Sequence, residues 1–166
     1  MDLEAARLLT HELMSELLPL PDFADWRFEY DNAMRRFGSC DYDRSVITLS
    51  PTLVQMNSIR KVREIIVHEI AHALAGHGAG HGPRWKAIDL SLGGTGKRCY
   101  DQGGAEVVTP IPPFYGTCPN CGHVVTAWRR RKTACKRCCN QYNHGKFDPK
   151  YRFRWRRILT QHPPID

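Results

Sequence analysis

One helix constrains this chain more than any other stretch, because it combines an apolar stripe with two histidines one turn apart. Apolar residues recur every three or four positions over residues 59–73, which is typical of a helix that packs on a core through one face. Ser58 is the predicted N-cap, and glycines from Gly76 onward end the helix. His68 and His72 project away from the stripe, so a buried helix can still present both imidazoles to a cleft.

The two histidines flank a glutamate in the pattern His-Glu-x-x-His. Two imidazoles at this spacing can hold one Zn²⁺ ion, and Glu69 can act as general base toward a water molecule. A catalytic zinc usually has three protein ligands. Both His77 and His81 follow closely enough to supply the third.

The residues around this helix predict an α+β domain with a small antiparallel or mixed sheet, as in zincin metalloproteases. Residues 26–30, 35–40 and 45–50 have the composition of short strands, and a second helix is predicted over residues 83–92. We expect Val46–Leu49 to be the edge strand that borders the cleft and pairs with a substrate backbone.

A tyrosine near the zinc could stabilise a developing oxyanion. Tyr100 and Tyr115 are the candidates, although ordinary packing is favoured for both. No long apolar run and no secretory signal are present, so we expect a cytoplasmic chain with reduced thiols and no membrane partner.

Two CxxC pairs separated by thirteen residues lie in the C-terminal part of the chain. This spacing is a strong signal for a zinc ribbon, and four thiolates would close the coordination shell of a structural Zn²⁺ ion. Cys139 is an alternative to Cys138 in the last pair, but the CxxC spacing favours Cys138. The predicted ligands are Cys118, Cys121, Cys135 and Cys138. A proline-rich stretch over residues 109–113 separates the predicted domains, residues 1–108 and 109–166.

Charge is distributed unevenly along the chain. Residues 1–96 contain ten Lys and Arg against thirteen Asp and Glu, whereas residues 97–166 contain fourteen against four. The formal net charge of +7 therefore comes from the second part. This asymmetry predicts a polyanionic partner, with a merely solvated basic tail as the alternative.

Two basic groups are the predicted nucleic-acid contacts. One forms the basic tip of a hairpin predicted around residues 123–128, and the other alternates with Tyr151, Phe153 and Trp155 in a predicted strand. These aromatic residues could stack on unpaired bases or form a core face, and we favour burial. The basic residues are Arg129, Arg130, Arg131, Lys132, Arg152, Arg154 and Arg156.

The motif HEIAHAL is followed by a glycine-rich turn and GHGPRW, and residues 38–40 and 46–53 precede it. Together these segments resemble the SprT-like family of zinc metalloproteases, which has bacterial (SprT) and eukaryotic (Spartan) members. The resemblance covers roughly residues 3–140. It implies that His81 is the third catalytic zinc ligand, with Trp85 as the aromatic residue of its segment. It also implies that the ribbon binds single-stranded or distorted DNA. The chain is similar to a minimal bacterial or phage form, for which a nucleoid-associated location is expected.

Together these observations predict a zinc-dependent, DNA-dependent protease that hydrolyses DNA-associated or DNA-crosslinked proteins and carries one catalytic and one structural zinc. In this prediction Glu69 is catalytic and His68, His72 and His81 hold the catalytic metal. The first alternative is a nucleic-acid-binding ribbon module with a non-catalytic metal site. The second is a zinc peptidase that cleaves free proteins and is indifferent to DNA.

Overall fold

The computed structural model describes residues 1–19, 21–98 and 108–158. The chain forms two compact units, Met1–Pro110 and Ile111–Asp166, here called the N-terminal unit and the C-terminal unit. Each contains helix and a small sheet, so the predicted α+β class is confirmed. The assignment of residues 1–108 and 109–166 to a protease domain and a zinc ribbon stays a prediction. None of the described helices combines the length and apolar character needed to cross a bilayer.

The N-terminal unit is built from helices around a three-stranded sheet. In chain order its elements are α1 Leu3–Leu17, β1 Arg27–Tyr30, β2 Gly38–Asp41, β3 Val46–Leu49, α2 Pro51–Met56, α3 Ile59–Ala75 and α4 Pro83–Ser91.

The sheet is mixed and has the strand order β1-β3-β2. β1 is parallel to β3, and β2 is antiparallel to it. The expectation that Val46–Leu49 is an edge strand is therefore wrong, because this segment is β3, the central strand. All four of its residues are buried, as expected of an almost continuous apolar run that is covered on both faces.

Helix α3 lies between two apolar clusters. Val62, Ile66 and Ile70 belong to the main core with α1 and the sheet, and Ala71 packs in a smaller cluster with α4. Ile59 belongs to the predicted apolar stripe but is 62% exposed, whereas Val62 in the same first turn is fully buried.

The predicted ends of α3 are confirmed. The Ser58 hydroxyl accepts a hydrogen bond from the Lys61 N–H, which satisfies one free donor of the first turn. Gly76 ends the helix with φ of 84°, a backbone conformation that strongly favours glycine.

The C-terminal unit contains a three-stranded antiparallel sheet of order β5-β4-β6 and one short helix. Its elements are β4 Phe114–Thr117, β5 Val124–Ala127, α5 Lys136–Tyr142, a 3₁₀ turn Pro149–Tyr151 and β6 Arg154–Arg157. The predicted hairpin is corrected: β4 pairs with β5, and the first CxxC pair occupies the turn between them. The basic run 129–132 follows β5 and does not form the hairpin tip.

The aromatic residues of the last strand pack inward, as favoured from the sequence. Phe153 is buried, and Tyr151 and Trp155 are half-buried beside it, in contact with Val125 and three of the four CxxC cysteines. The strand is shorter than predicted: it begins at Arg154, so Tyr151, in the 3₁₀ turn, and Phe153 both precede it, and only Trp155 lies within it.

Candidate active site

Three histidines of the N-terminal unit bring their ring nitrogens together. The Nε2 atom of His81 lies 3.1 Å from the Nε2 atoms of both His72 and His68, and the three side chains form a group that can hold a metal. Nitrogens bound to zinc at about 2.0–2.1 Å in a tetrahedral arrangement lie about 3.3–3.4 Å apart. The separations in this group therefore fit a Zn²⁺ ion with a position left open.

The turn between α3 and α4 decides which later histidine joins the pair. Gly76 ends α3, a glycine-containing turn follows, and α4 begins at Pro83. His81 falls within the group, whereas His77 is exposed and places its ring 5.4 Å from that of Tyr42. The structure thus brings His81, and not His77, to the two helix histidines.

Trp85 forms the back of the histidine cluster. Its indole is 1% exposed, and its ring centroid lies 4.7, 5.3 and 4.6 Å from those of His68, His72 and His81. Burial, helped by the neighbouring histidines, lowers the pKa of His68 to about 3 and that of His72 to about 4. Both imidazoles are therefore neutral at pH 7, which is the form that binds a metal.

Replacement of His81 by Ala is expected to weaken zinc binding at this cluster, because two histidines remain of three. The loss should exceed the roughly 10–100-fold that removal of a hydrogen-bonded neighbour of a ligand costs. His77→Ala is the matched control and should keep the parental affinity. A chelator titration with a zinc indicator measures both, and equal affinities in the two variants would exclude His81 as a ligand.

Glu69 lies in the same cleft but is held apart from solvent. Glu69 is 7% exposed, and burial raises the pKa of its carboxyl group to about 8. A carboxyl group with this pKa can hold and release a proton near neutral pH.

The close approach of β2 to α3 fixes where this carboxyl group lies. A Cβ atom built on Gly38 would be 2.8 Å from Glu69 Cγ and 2.9 Å from Oε1. At such distances a side chain at position 38 would force the Glu69 carboxyl group to move, so its absence leaves the space that Glu69 fills. Nothing in the sequence distinguished this glycine as a neighbour of the helix.

Gly38→Ala is expected to push the Glu69 carboxyl group out of its position and to lower any Glu69-dependent activity without loss of zinc. Overpacking of this kind typically costs about 1–3 kcal/mol in stability. The measurement pairs a thermal unfolding curve and a zinc determination with the activity assay. Unchanged activity in a folded, zinc-loaded variant would show that the position of Glu69 does not matter.

The cleft itself has a volume of about 610 Å³. One wall comes from β2, through Gly38, Ser39 and Cys40, and the floor comes from α3. Because β2 pairs with β3 on one side only among the described residues, β2 replaces β3 as the strand that borders the cleft.

Tyr42, which follows β2, also lines the cleft, and the sequence reading missed it. Its hydroxyl donates a hydrogen bond to the backbone oxygen of His72 at 2.7 Å. Of the two tyrosines considered from the sequence, Tyr115 is paired within β4 of the C-terminal unit, and Tyr100 lies outside the described residues.

Asp89, the nearest acidic residue after the histidines, serves the turn that follows α4. Its side chain is buried and accepts a hydrogen bond from the Gly96 N–H at 2.6 Å. It does not belong to the metal-binding group.

The four predicted ribbon cysteines form a second group in the C-terminal unit. The Sγ atoms of Cys118 and Cys138 are 3.8 Å apart, and those of Cys121 and Cys135 are 3.7 Å apart. Thiolates bound to a tetrahedral zinc at about 2.3 Å lie about 3.8 Å apart. This group therefore fits a Zn²⁺ ion with no open position, and Cys139 is buried outside it.

The basic residues predicted to contact nucleic acid are all exposed on the C-terminal unit. Arg130 lies over the ring of Phe114 at 5.5 Å, and the backbone oxygen of Arg131 accepts a hydrogen bond from the Trp155 indole at 2.8 Å. Their contact with DNA stays a prediction. The set is Arg129, Arg130, Arg131, Lys132, Arg152, Arg154 and Arg156.

Comparison with known proteins supports one assignment. A comparison with curated proteins gives no match. A model of the SprT-like family matches residues 7–102, which include α3 and all three histidines. Since this match covers more than half of the sequence, the chain belongs to the SprT-like family.

Proposed function

We propose that this chain is a zinc-dependent protease that hydrolyses peptide bonds of DNA-associated or DNA-crosslinked proteins and depends on DNA for activity. One observation carries the proposal: three neutral histidines converge on a point beside a buried glutamate, in an open cleft of about 610 Å³.

In this proposal His68, His72 and His81 hold the catalytic zinc. When bound, zinc supplies a Lewis acid that polarises a carbonyl group and lowers the pKa of water. The Glu69 carboxylate accepts a proton from the attacking water and later passes it to the leaving amine. Burial raises the pKa of this carboxyl group, which favours its protonated form and so suits the return of the proton to the leaving amine.

β2 is the proposed docking edge for the substrate. It lines the cleft, and an extended peptide could add to it as a further strand. Backbone hydrogen bonds of this kind do not depend on side chains, which suits a protease that acts on many different proteins.

The C-terminal unit supports the DNA part of the proposal. Seven basic residues of this unit are exposed, and its four cysteines can hold a structural zinc. Their charge favours contact with phosphates, whereas the buried aromatic residues of the last strand serve the core.

The test uses a basic DNA-binding protein, such as a histone, as substrate for the full zinc-loaded chain. Cleavage is measured without DNA, with duplex DNA and with single-stranded DNA. We expect cleavage only when DNA is present. Equal cleavage with and without DNA would leave a peptidase but remove its DNA dependence.

A nucleic-acid-binding module is the second candidate, and the exposed basic surface of the C-terminal unit favours it. It predicts tight DNA binding without cleavage under any of these conditions, despite full zinc loading. The dependence on Glu69 separates the two candidates, because DNA binding alone does not require this residue.

A further inference from the structure

The cleft contains two arginines for which the proposed reaction has no use. Arg36 precedes β2, and Arg98 follows the turn after α4, yet both line the cleft together with Glu69 and the three histidines. Two positive charges therefore reach the same cleft from two separate segments of the N-terminal unit.

The first of these arginines is held in place by a network that crosses the sheet. Arg36 donates to Asp31 Oδ2 at 2.7 Å, and its side chain remains 58% exposed. Asp31 is fixed in turn by the Ala33 N–H and the Thr48 hydroxyl, each at 2.9 Å. Because a guanidinium has five N–H donors, Arg36 keeps donors for a ligand while one side is anchored.

The second arginine, Arg98, lines the cleft together with His81. Its charge adds to burial in lowering the pKa of His81, which places the guanidinium within electrostatic range of that ring. In the parts of the chain that the structure describes, no hydrogen bond or ion pair engages the Arg98 side chain, which is exposed.

Asp31 pairs with Arg36 but does not line the cleft, so the charge of Arg36 is partly balanced from outside it. Among its lining residues in the described ranges, Glu69 is the single carboxyl group, and it is buried against Gly38. Arg98 and the remaining donors of Arg36 therefore give the open part of the cleft planar, forked donors that match a carboxylate.

We propose that this cleft selects peptide segments that carry a carboxylate near the scissile bond, with Arg36 and Arg98 as the specificity-determining residues. The carboxylate is that of an Asp or Glu side chain or of a peptide C-terminus, since both present the same planar group. This inference rests on the peptidase function proposed above and names the substrate class of that same site.

The test compares matched peptides that carry Glu, Gln or Lys at each position flanking one cleavable bond, with the C-terminus either free or amidated. Two readings are taken on the full zinc-loaded chain: kcat/KM for cleavage, and peptide affinity by fluorescence anisotropy in the Glu69→Gln variant. The Glu-to-Gln ratio is compared among the parent, Arg36→Gln, Arg98→Gln and Arg98→Glu. Arg63→Gln, an exposed arginine of α3 outside the cleft, is the matched control.

We expect the parent and the Arg63→Gln control to favour Glu over Gln by about threefold to tenfold, as for one or two partly exposed charged contacts. Each cleft Arg→Gln change should lower this ratio, and Arg98→Glu should shift the preference toward Lys. The amidated peptides reveal whether a side chain or the C-terminus supplies the carboxylate.

Equal ratios for Glu and Gln peptides in both readings would overturn the inference, and so would ratios that neither arginine affects. An Arg98→Gln variant that loses DNA affinity but keeps its peptide preference would assign the residue to nucleic acid instead. If no peptide is cleaved but Glu peptides still bind better through Arg36 and Arg98, the proposed peptidase function fails and the carboxylate preference stands.

Discussion

Replacement of Glu69 by Gln is expected to remove peptide hydrolysis while the zinc content of the protein stays unchanged. The amide fills the same buried space beside Gly38, so the fold and the histidine cluster have no reason to change. It cannot accept a proton, however, and general acid–base catalysis typically contributes about 10²–10⁴-fold to a rate. We therefore expect a rate loss in that range.

The measurement combines a cleavage assay with a zinc determination by mass spectrometry. Glu16→Gln is the matched control, because Glu16 is an exposed residue of α1 far along the chain from the cluster, and we expect it to cleave at the parental rate. Cleavage by Glu69→Gln at the parental rate would mean that another group takes the proton, and the assignment of the general base would be wrong.

Cys135→Ser is expected to release the zinc of the C-terminal unit and to unfold that unit. Cys135 is fully buried among the four thiols, and the apolar cluster around them is small. The apparent binding free energy of a structural zinc is about 10–16 kcal/mol, which for a small unit is largely its folding free energy. The loss of one ligand therefore removes most of what holds the unit together.

Zinc stoichiometry and an NMR amide spectrum test this expectation. Signals of the C-terminal unit should collapse toward unfolded positions, whereas those of α1 to α4 should persist, since the N-terminal unit has its own core. Cys139→Ser is the control: this cysteine is buried but lies outside the group, and the variant should keep its full zinc content. Retention of the zinc by Cys135→Ser would contradict the four-thiolate site.

The sequence predicted those features of the molecule that depend on residues close together in the chain. One helix contains the His68–His72 spacing, the Ser58 cap and the Gly76 end. The two CxxC pairs are likewise recognisable from their spacing in the sequence. His81 required the family resemblance, because from spacing alone His77 was equally placed.

Features that depend on strand order or on contacts between distant segments could not be read in this way. β3 is central because it pairs with β1 in parallel. The sequences of three short strands do not indicate which of them pair or in which direction. The same holds for Tyr42 and Arg98, which reach the cleft from outside α3 and belong to no motif, and for the contact of Gly38 with Glu69. These residues are identified only by their contacts in the folded structure.

The placement of α3 between two apolar clusters affects the rate at which zinc binds to and dissociates from the histidine cluster. Opening the helix around His68 and His72 would expose both clusters, so it requires nearly the full unfolding free energy of the unit. The glycine-containing turn that carries His81 is exposed and can open at far lower cost. Zinc exchange should therefore follow the opening rate of this turn, and hydrogen exchange at residues 77–81 should be fast where that of α3 is slow.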